Sequence, residues 1–355
     1  MKREEVDRFK IKWRDVIWSV KLFILFAALA FAFSISVYVV AYFFSQPEAA
    51  SSVVIPTAQA ATSEIDVVND AIVSTSAAAT SKVDVGARYV GPIYSVFVFN
   101  TIAILVTAIG TGAITYSHRF AFREIMFRSR HPFYCRIISG LDKPSPIFLS
   151  FIRKTAARIY PEIRQHQTTE KRNAPNSIWK NCSYHGEDYR AVALMLPLIF
   201  PVLTLLLNGI IAGIVLALFL FNGILWGSQT AGLAGIFLGA DFAFVYYLAS
   251  ISPHGIIELP VIFIATSLAY RFSRVHSEEI IKGNLFEADS YKDIKKDIKV
   301  IESVTRAYLK SRYMWKTFSI MILLLLIAAY IEIQLTPQIS GYVFNMVGLL
   351  SCNLI

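Results

Sequence analysis

The chain has 355 residues, 55% of them hydrophobic and only 17% charged. A soluble domain of that length would carry roughly a quarter charged residues, so the composition excludes an ordinary water-soluble enzyme or binding module. The net charge of +9 gathers beside apolar runs, where Lys and Arg orient membrane helices and meet anionic headgroups; membrane lipids are expected partners and nucleic acid is not.

In chain order, residues 1–21 form a basic head carrying Lys2, Arg3, Arg8, Lys10, Lys12, Arg14 and Lys21, which places the amino terminus in the cytoplasm. Residues 22–44 read as an uncleaved membrane anchor, because the apolar run exceeds the roughly 7–15 residues of a signal-sequence core. Trp13 and Trp18 stand where interfacial anchors would. Residues 45–88 are rich in Ala, Ser and Thr, with acidic residues outnumbering Lys82 and Arg88, and are expected to form an external loop. The apolar patch Val67–Val73 within it fits either a surface contact or a minor loop helix.

A second membrane helix is predicted over 89–116, with Asn100 near its centre. It leads into a basic cytoplasmic insertion, 117–190, with 14 Lys or Arg against six Asp or Glu. Phe148, Phe151, Ile152, Thr155 and Ile159 fall at helical spacing there, and Pro161 would end the helix. Such a helix fits the headgroup layer or a place against the protein's own core. Protein partners are expected to bind through this insertion.

The core membrane helices are predicted over 191–270, where Asp241 and Glu258 are the only formal charges. One segment runs to about Phe221; thirty residues of helix reach about 45 Å, which implies tilt or a break near Asn208-Gly209. Another spans Ala231–Ala249. A third begins with Ser252 as cap and Pro253 at the first helical position and ends at Tyr270. Five crossings would then put 271–313 outside, yet that stretch carries ten Lys or Arg, which belong in the cytoplasm. A re-entrant or half-length segment at Pro253–Pro260, or the break at Asn208-Gly209, would resolve the conflict. Residues 314–335 form the last strong helix, with Lys316 and Glu332 at its ends, and 336–355 are an apolar tail suited to a re-entrant or interfacial element. The expected fold is an all-α polytopic membrane protein of five to seven membrane segments, with a re-entrant or broken helix near 253–260.

Within the apolar runs, Gly209 and Gly213, Gly223 and Gly227, and Gly235 and Gly239 form small-xxx-small pairs that permit close helix packing. Asn100 and Asn208 fit interhelical hydrogen bonds or a polar central site. Asp241 is costly in lipid unless paired, hydrated or protonated, and fits either a buried structural hydrogen bond or a proton-linked role. His254 and Glu258, four apart, share one helix face. They either lock a broken helix or form a site for proton transfer, metal or substrate. No metal ligand set and no cofactor is assigned, because His-x3-Glu lacks a further ligand and HExxH, Walker A and dinucleotide sequences are absent. Cys135, Cys182 and Cys352 form no CxxC unit. The candidate polar site is therefore Asn100, Asn208, Gly209, Asp241, His254 and Glu258, with Gly213, Gly235 and Gly239 as packing positions.

The block Pro253-His254-Gly255-Ile256-Ile257-Glu258-Leu259-Pro260 resembles the PHG-x-x-E-L-P block of the stage II sporulation protein M family. Leu207-Asn208-Gly209-Ile210-Ile211-Ala212-Gly213 is similar to that family's NG-x-x-x-G element, and Asn100 to an asparagine in its preceding helix. The resemblance covers Tyr89–Tyr116 and Arg190–Arg271. Members of that family are associated with membrane remodelling and cell-wall hydrolase complexes; the resemblance implies an integral core in the cytoplasmic membrane of a bacterium and a scaffold in a membrane complex, and it assigns no catalytic residue. The leading expectation is a membrane scaffold or integral subunit of a multiprotein complex, open to homo-oligomerisation. The alternative is a transporter-like protein or intramembrane enzyme using His254, Glu258 and Asp241.

Overall fold

The computed structural model describes residues 8–44, 91–141, 145–161, 178–182, 186–287 and 290–352. The expected external loop 45–88, with its Val67–Val73 patch, lies outside the described residues. Regular structure among the described residues is entirely helical. The longer helices are α1 (Trp13–Phe44), α2 (Pro92–Leu105), α3 (Ser117–Arg130), α4 (Pro132–Leu141), α5 (Ser145–Ile159), α6 (Gly186–Met195), α7 (Ile199–Lys282), α8 (Tyr291–Leu309), α9 (Arg312–Gln334) and α10 (Thr336–Cys352). Four helical stretches are long and apolar enough to cross a membrane: Trp13–Tyr42, Pro92–Arg130, Gly186–Lys282 and Arg312–Gln334. The protein is an integral, multi-pass membrane protein.

Helix α1 begins well before its apolar run because Asp15, in the first turn, accepts the Lys12 N–H at 2.9 Å, the returning half of a capping box. Helix α2 starts on Pro92, whose missing donor is an orphan at that position anyway. It continues through a π turn at Val106–Gly110 and a 3-10 turn at Ile114–Tyr116 into α3.

The predicted breaks in the core are absent. The dihedrals of α7 are helical throughout Asn208-Gly209 and Pro253–Pro260, and depart only at Ala231 (φ −136°, ψ 21°) and Gly232 (φ 60°, ψ −139°). Ser252 caps nothing, since Pro253 and Pro260 both lie inside the helix. Membrane helices tolerate such prolines when neighbouring groups satisfy the freed backbone. The two segments predicted at Ala231–Ala249 and Pro253–Tyr270 are thus one arm, 233–282, and the turn separates it from a first arm, 199–230. A positive φ paired with that ψ is accessible to glycine and costly for any other residue, which locates the turn at Gly232.

The chain forms two compact units. One comprises Ser19–Ala103, Thr204–Phe263 and Ile320–Ile355. In it the arms of α7 pack glycine on backbone. A Cβ on Gly227 would overlap the Gly235 carbonyl oxygen, and one on Gly239 would overlap that of Gly223. The first arm meets α1 the same way: a Cβ on Gly209 would lie 2.9 Å from the Phe26 Cβ, and one on Gly213 would run into the Ala27 carbonyl. Helix α10 packs Phe344 against Phe242 and Tyr246, each at 5.9 Å between ring centroids.

The other unit comprises Met1–Trp18, Ile104–Leu203 and Ile264–Ser319. Fully buried Tyr308 meets Phe9 edge-to-face and Phe272 at a tilt and donates its hydroxyl to the Ala108 carbonyl in the π turn at 2.8 Å. Helix α8 is capped by Ser290 and buries Ile294, Ile298, Ile301 and Tyr308 along one stripe. The turn before it carries left-handed Asn284 and Phe286, and Asp297 accepts the Phe286 N–H at 2.8 Å. Burial pushes the Asp297 carboxyl above its ordinary value, and the Phe286 N–H partly offsets this. Helix α5 packs against α6 and buries Ala156, with Tyr160 just beyond its end, while Ile147, Phe148 and Phe151 are exposed.

Gly227→Val should lower stability in detergent by more than ~2 kcal/mol through overpacking. Gly341→Ala, where a Cβ meets nothing within 4 Å, should leave it unchanged or higher; thermal unfolding of both variants checks the contrast. Asp297→Ala should cost about 1 kcal/mol through the orphaned Phe286 amide, and Asp297→Asn less, measured by the same melts.

Candidate functional site

Three chain segments of one unit supply the polar cluster. On the second arm of α7, His254 and Glu258 are one helical turn apart and project together. Glu332 comes from the last turn of α9. The ligand atoms of His254, Glu258 and Glu332 all lie within 4.8 Å of one another, and each side chain is half-buried. Asn100 on α2 donates its Nδ2–H to Glu258 Oε1 at 2.6 Å.

Thr336, buried at the start of α10, completes the arrangement. Its hydroxyl donates to the Ile331 carbonyl at 3.2 Å and lies 3.3 Å from His254 Nδ1. With the hydroxyl proton committed to Ile331, Oγ1 is free to accept an Nδ1–H. That tautomer leaves the lone pair of Nε2 available to a ligand, the orientation that a metal-binding imidazole commonly takes from its neighbour.

Two carboxylates this close repel, and no Lys or Arg lies within 191–270 to compensate them. A cation or a shared proton would. One imidazole nitrogen and two carboxylate oxygens suit a divalent ion such as zinc, manganese or iron(II). His254 and Glu258 gain here the third donor that their spacing alone does not provide.

Of the candidate residues, the structure brings together Asn100, His254 and Glu258. The others lie elsewhere. Asn208 donates to the Thr204 carbonyl of its own helix at 2.8 Å, a bond within α7 rather than between helices. Gly209 is buried against α1. Asp241 is exposed and lies outside the cluster, so it is not a buried structural carboxylate. Gly213, Gly235 and Gly239 are at the close helix approaches described above. Glu332 and Thr336 are the residues that sequence reasoning missed. The available signal was a single acidic residue closing an otherwise apolar helix, with nothing in the linear order to connect it with His254. Cys135 and Cys182 are not joined in a disulfide.

Neither a curated protein nor a solved structure matches the chain. The family profile described as stage II sporulation protein M matches residues 22–337, a span that includes the cluster and the helices that carry it. The chain therefore belongs to the stage II sporulation protein M family.

Proposed function

We propose that the protein is a transporter-like membrane protein that takes a divalent cation at His254, Glu258 and Glu332. The convergence of these three donors within 4.8 Å carries this reading. Transport proteins place ionisable groups at such depth where a cation compensates them, because the same groups left unpaired would be expelled from lipid. Asn100 would hold Glu258 in place, and Thr336 would set the imidazole tautomer.

The topology that goes with this function has five crossings: α1, α2, the two arms of α7, and α9. The turn at Ala231–Gly232 supports it. With the amino terminus inside, the first arm leaves the cytoplasm and the second returns to it, so the basic stretch 271–313 falls on the same side as 117–190. The positive-inside rule is then satisfied without any re-entrant segment. The domain boundaries follow: residues 45–88 are external, and 117–190 and 271–313 are cytoplasmic.

A scaffold role rests on a different observation. Exposed Ile147, Phe148 and Phe151 on α5, close in sequence to Arg153, Lys154 and Arg158, form an apolar face with a basic border. That composition suits the cytoplasmic headgroup layer or a partner helix.

The cation reading predicts that Glu332→Gln and Glu258→Gln each weaken zinc or manganese binding by at least about tenfold, since each removes a charged ligand. Titration calorimetry on purified protein, with melting curves to verify folding, measures this, and ion uptake into liposomes reads transport. Wild-type protein that binds neither ion and carries no flux would rule the proposal out.

A further inference from the structure

In the unit that contains α8, a cleft of about 520 Å³ opens between Arg119 of α3 and the α8 face bearing Lys299, Glu302, Ser303 and Arg306, with Lys310 at its end. The cleft has more positive charge than it neutralises. Arg119 forms a bidentate pair with Glu302, its Nε–H and Nη2–H donating to the two carboxylate oxygens, which uses the cleft's one carboxylate. Lys299, Arg306 and Lys310 are exposed and enter none of the ion pairs formed among the described residues. Ser303, also exposed, adds a hydroxyl that now donates to the Val300 carbonyl at 2.7 Å.

The surrounding residues fix the depth of this cleft. Lys310 stands two residues before α9, whose apolar run begins at Met314. Arg119 stands three residues beyond Tyr116, the end of the apolar second helix, and its guanidinium lies over the Tyr116 ring at 5.8 Å. Trp315 is half-exposed and donates its indole N–H to the Leu309 carbonyl at 2.8 Å. Tryptophan and tyrosine with an apolar body and a satisfied polar edge mark the headgroup level of a bilayer. A tetrahedral anion at that level is a lipid phosphate.

We propose that the cleft is a binding site for the phosphate of an anionic phospholipid, held by Lys299, Arg306 and Lys310. Three unmatched cations favour a headgroup with net negative charge over a zwitterionic one, which brings its own ammonium. The site is separate from the cation cluster and stands whether or not that cluster transports anything.

The test uses the full chain, purified in a neutral detergent and delipidated. Phosphatidylglycerol, phosphatidylcholine and inorganic phosphate are titrated separately, with retained lipid counted by native mass spectrometry and stability followed by thermal unfolding. Phosphatidylglycerol should be retained and should raise the melting temperature, whereas phosphatidylcholine and inorganic phosphate should not. The triple variant K299Q/R306Q/K310Q should bind phosphatidylglycerol at least about tenfold more weakly, since each removed basic residue takes away attraction for the anionic headgroup, with an unchanged melt in lipid-free detergent. If that variant does not fold, K310Q alone should still weaken retention severalfold, because its side chain is exposed. Equal responses to the two lipids, or undiminished phosphatidylglycerol binding in the variants, would overturn the site. Stabilisation by inorganic phosphate equal to that by phosphatidylglycerol would reassign the cleft to a soluble anion and overturn the lipid.

Discussion

A carboxylate or imidazole inside a bilayer costs several kcal/mol unless another polar group meets it, and few such groups exist in this chain. Within 191–270 the carboxylates and imidazoles are Asp241, Glu258 and His254. Two of them share a helix face, and Glu332 joins them from the last turn of α9. Asn100 turns its amide toward the same point, and Thr336 covers the imidazole. The packing of α2, the second arm of α7, α9 and the start of α10 is thus tied to one small polar volume. Asp241 lies apart from that cluster, at a position exposed on the helix surface.

Glycine supplies the close contacts around that volume. Lipid tails are as apolar as leucine, so helices gain little by hiding leucine from lipid, and backbone approach has to provide the attraction. Gly223 and Gly227 face Gly239 and Gly235 across the turn, and Gly209 and Gly213 face α1. Each contact leaves no space for even a methyl group. The second unit is held by other means: an aromatic cluster of Phe9, Phe272 and Tyr308, and an isoleucine stripe on α8 that would suit a water-soluble protein.

What could be read from residue order was whatever a single helix decides. The apolar runs, the shared face of His254 and Glu258, the helix ending at Pro161 and the glycine spacings all follow from the period of one helix. Which helices meet is not encoded at that scale, so Glu332 stood apart from its partners, and the facing of the Gly223–Gly227 and Gly235–Gly239 pairs was invisible. Pro253 and Pro260 pointed to a break because proline removes a helical hydrogen bond, but packing in this unit maintains the helix through both. The true break fell at Gly232, one of 17 glycines with no proline beside it. The ten Lys or Arg of 271–313 ask by the positive-inside rule for a return to the cytoplasmic side, an expectation with which the turn at Gly232 is compatible.

Gly232 has a consequence for how tightly the two arms are coupled. Only Ala231 and Gly232 separate the two arms, and each arm alone is longer than a bilayer's hydrocarbon is thick. Such a short connection leaves the two arms no slack to part near the turn. They stay a hairpin joined along their glycine faces, so a shift of either arm along its axis is carried to the other.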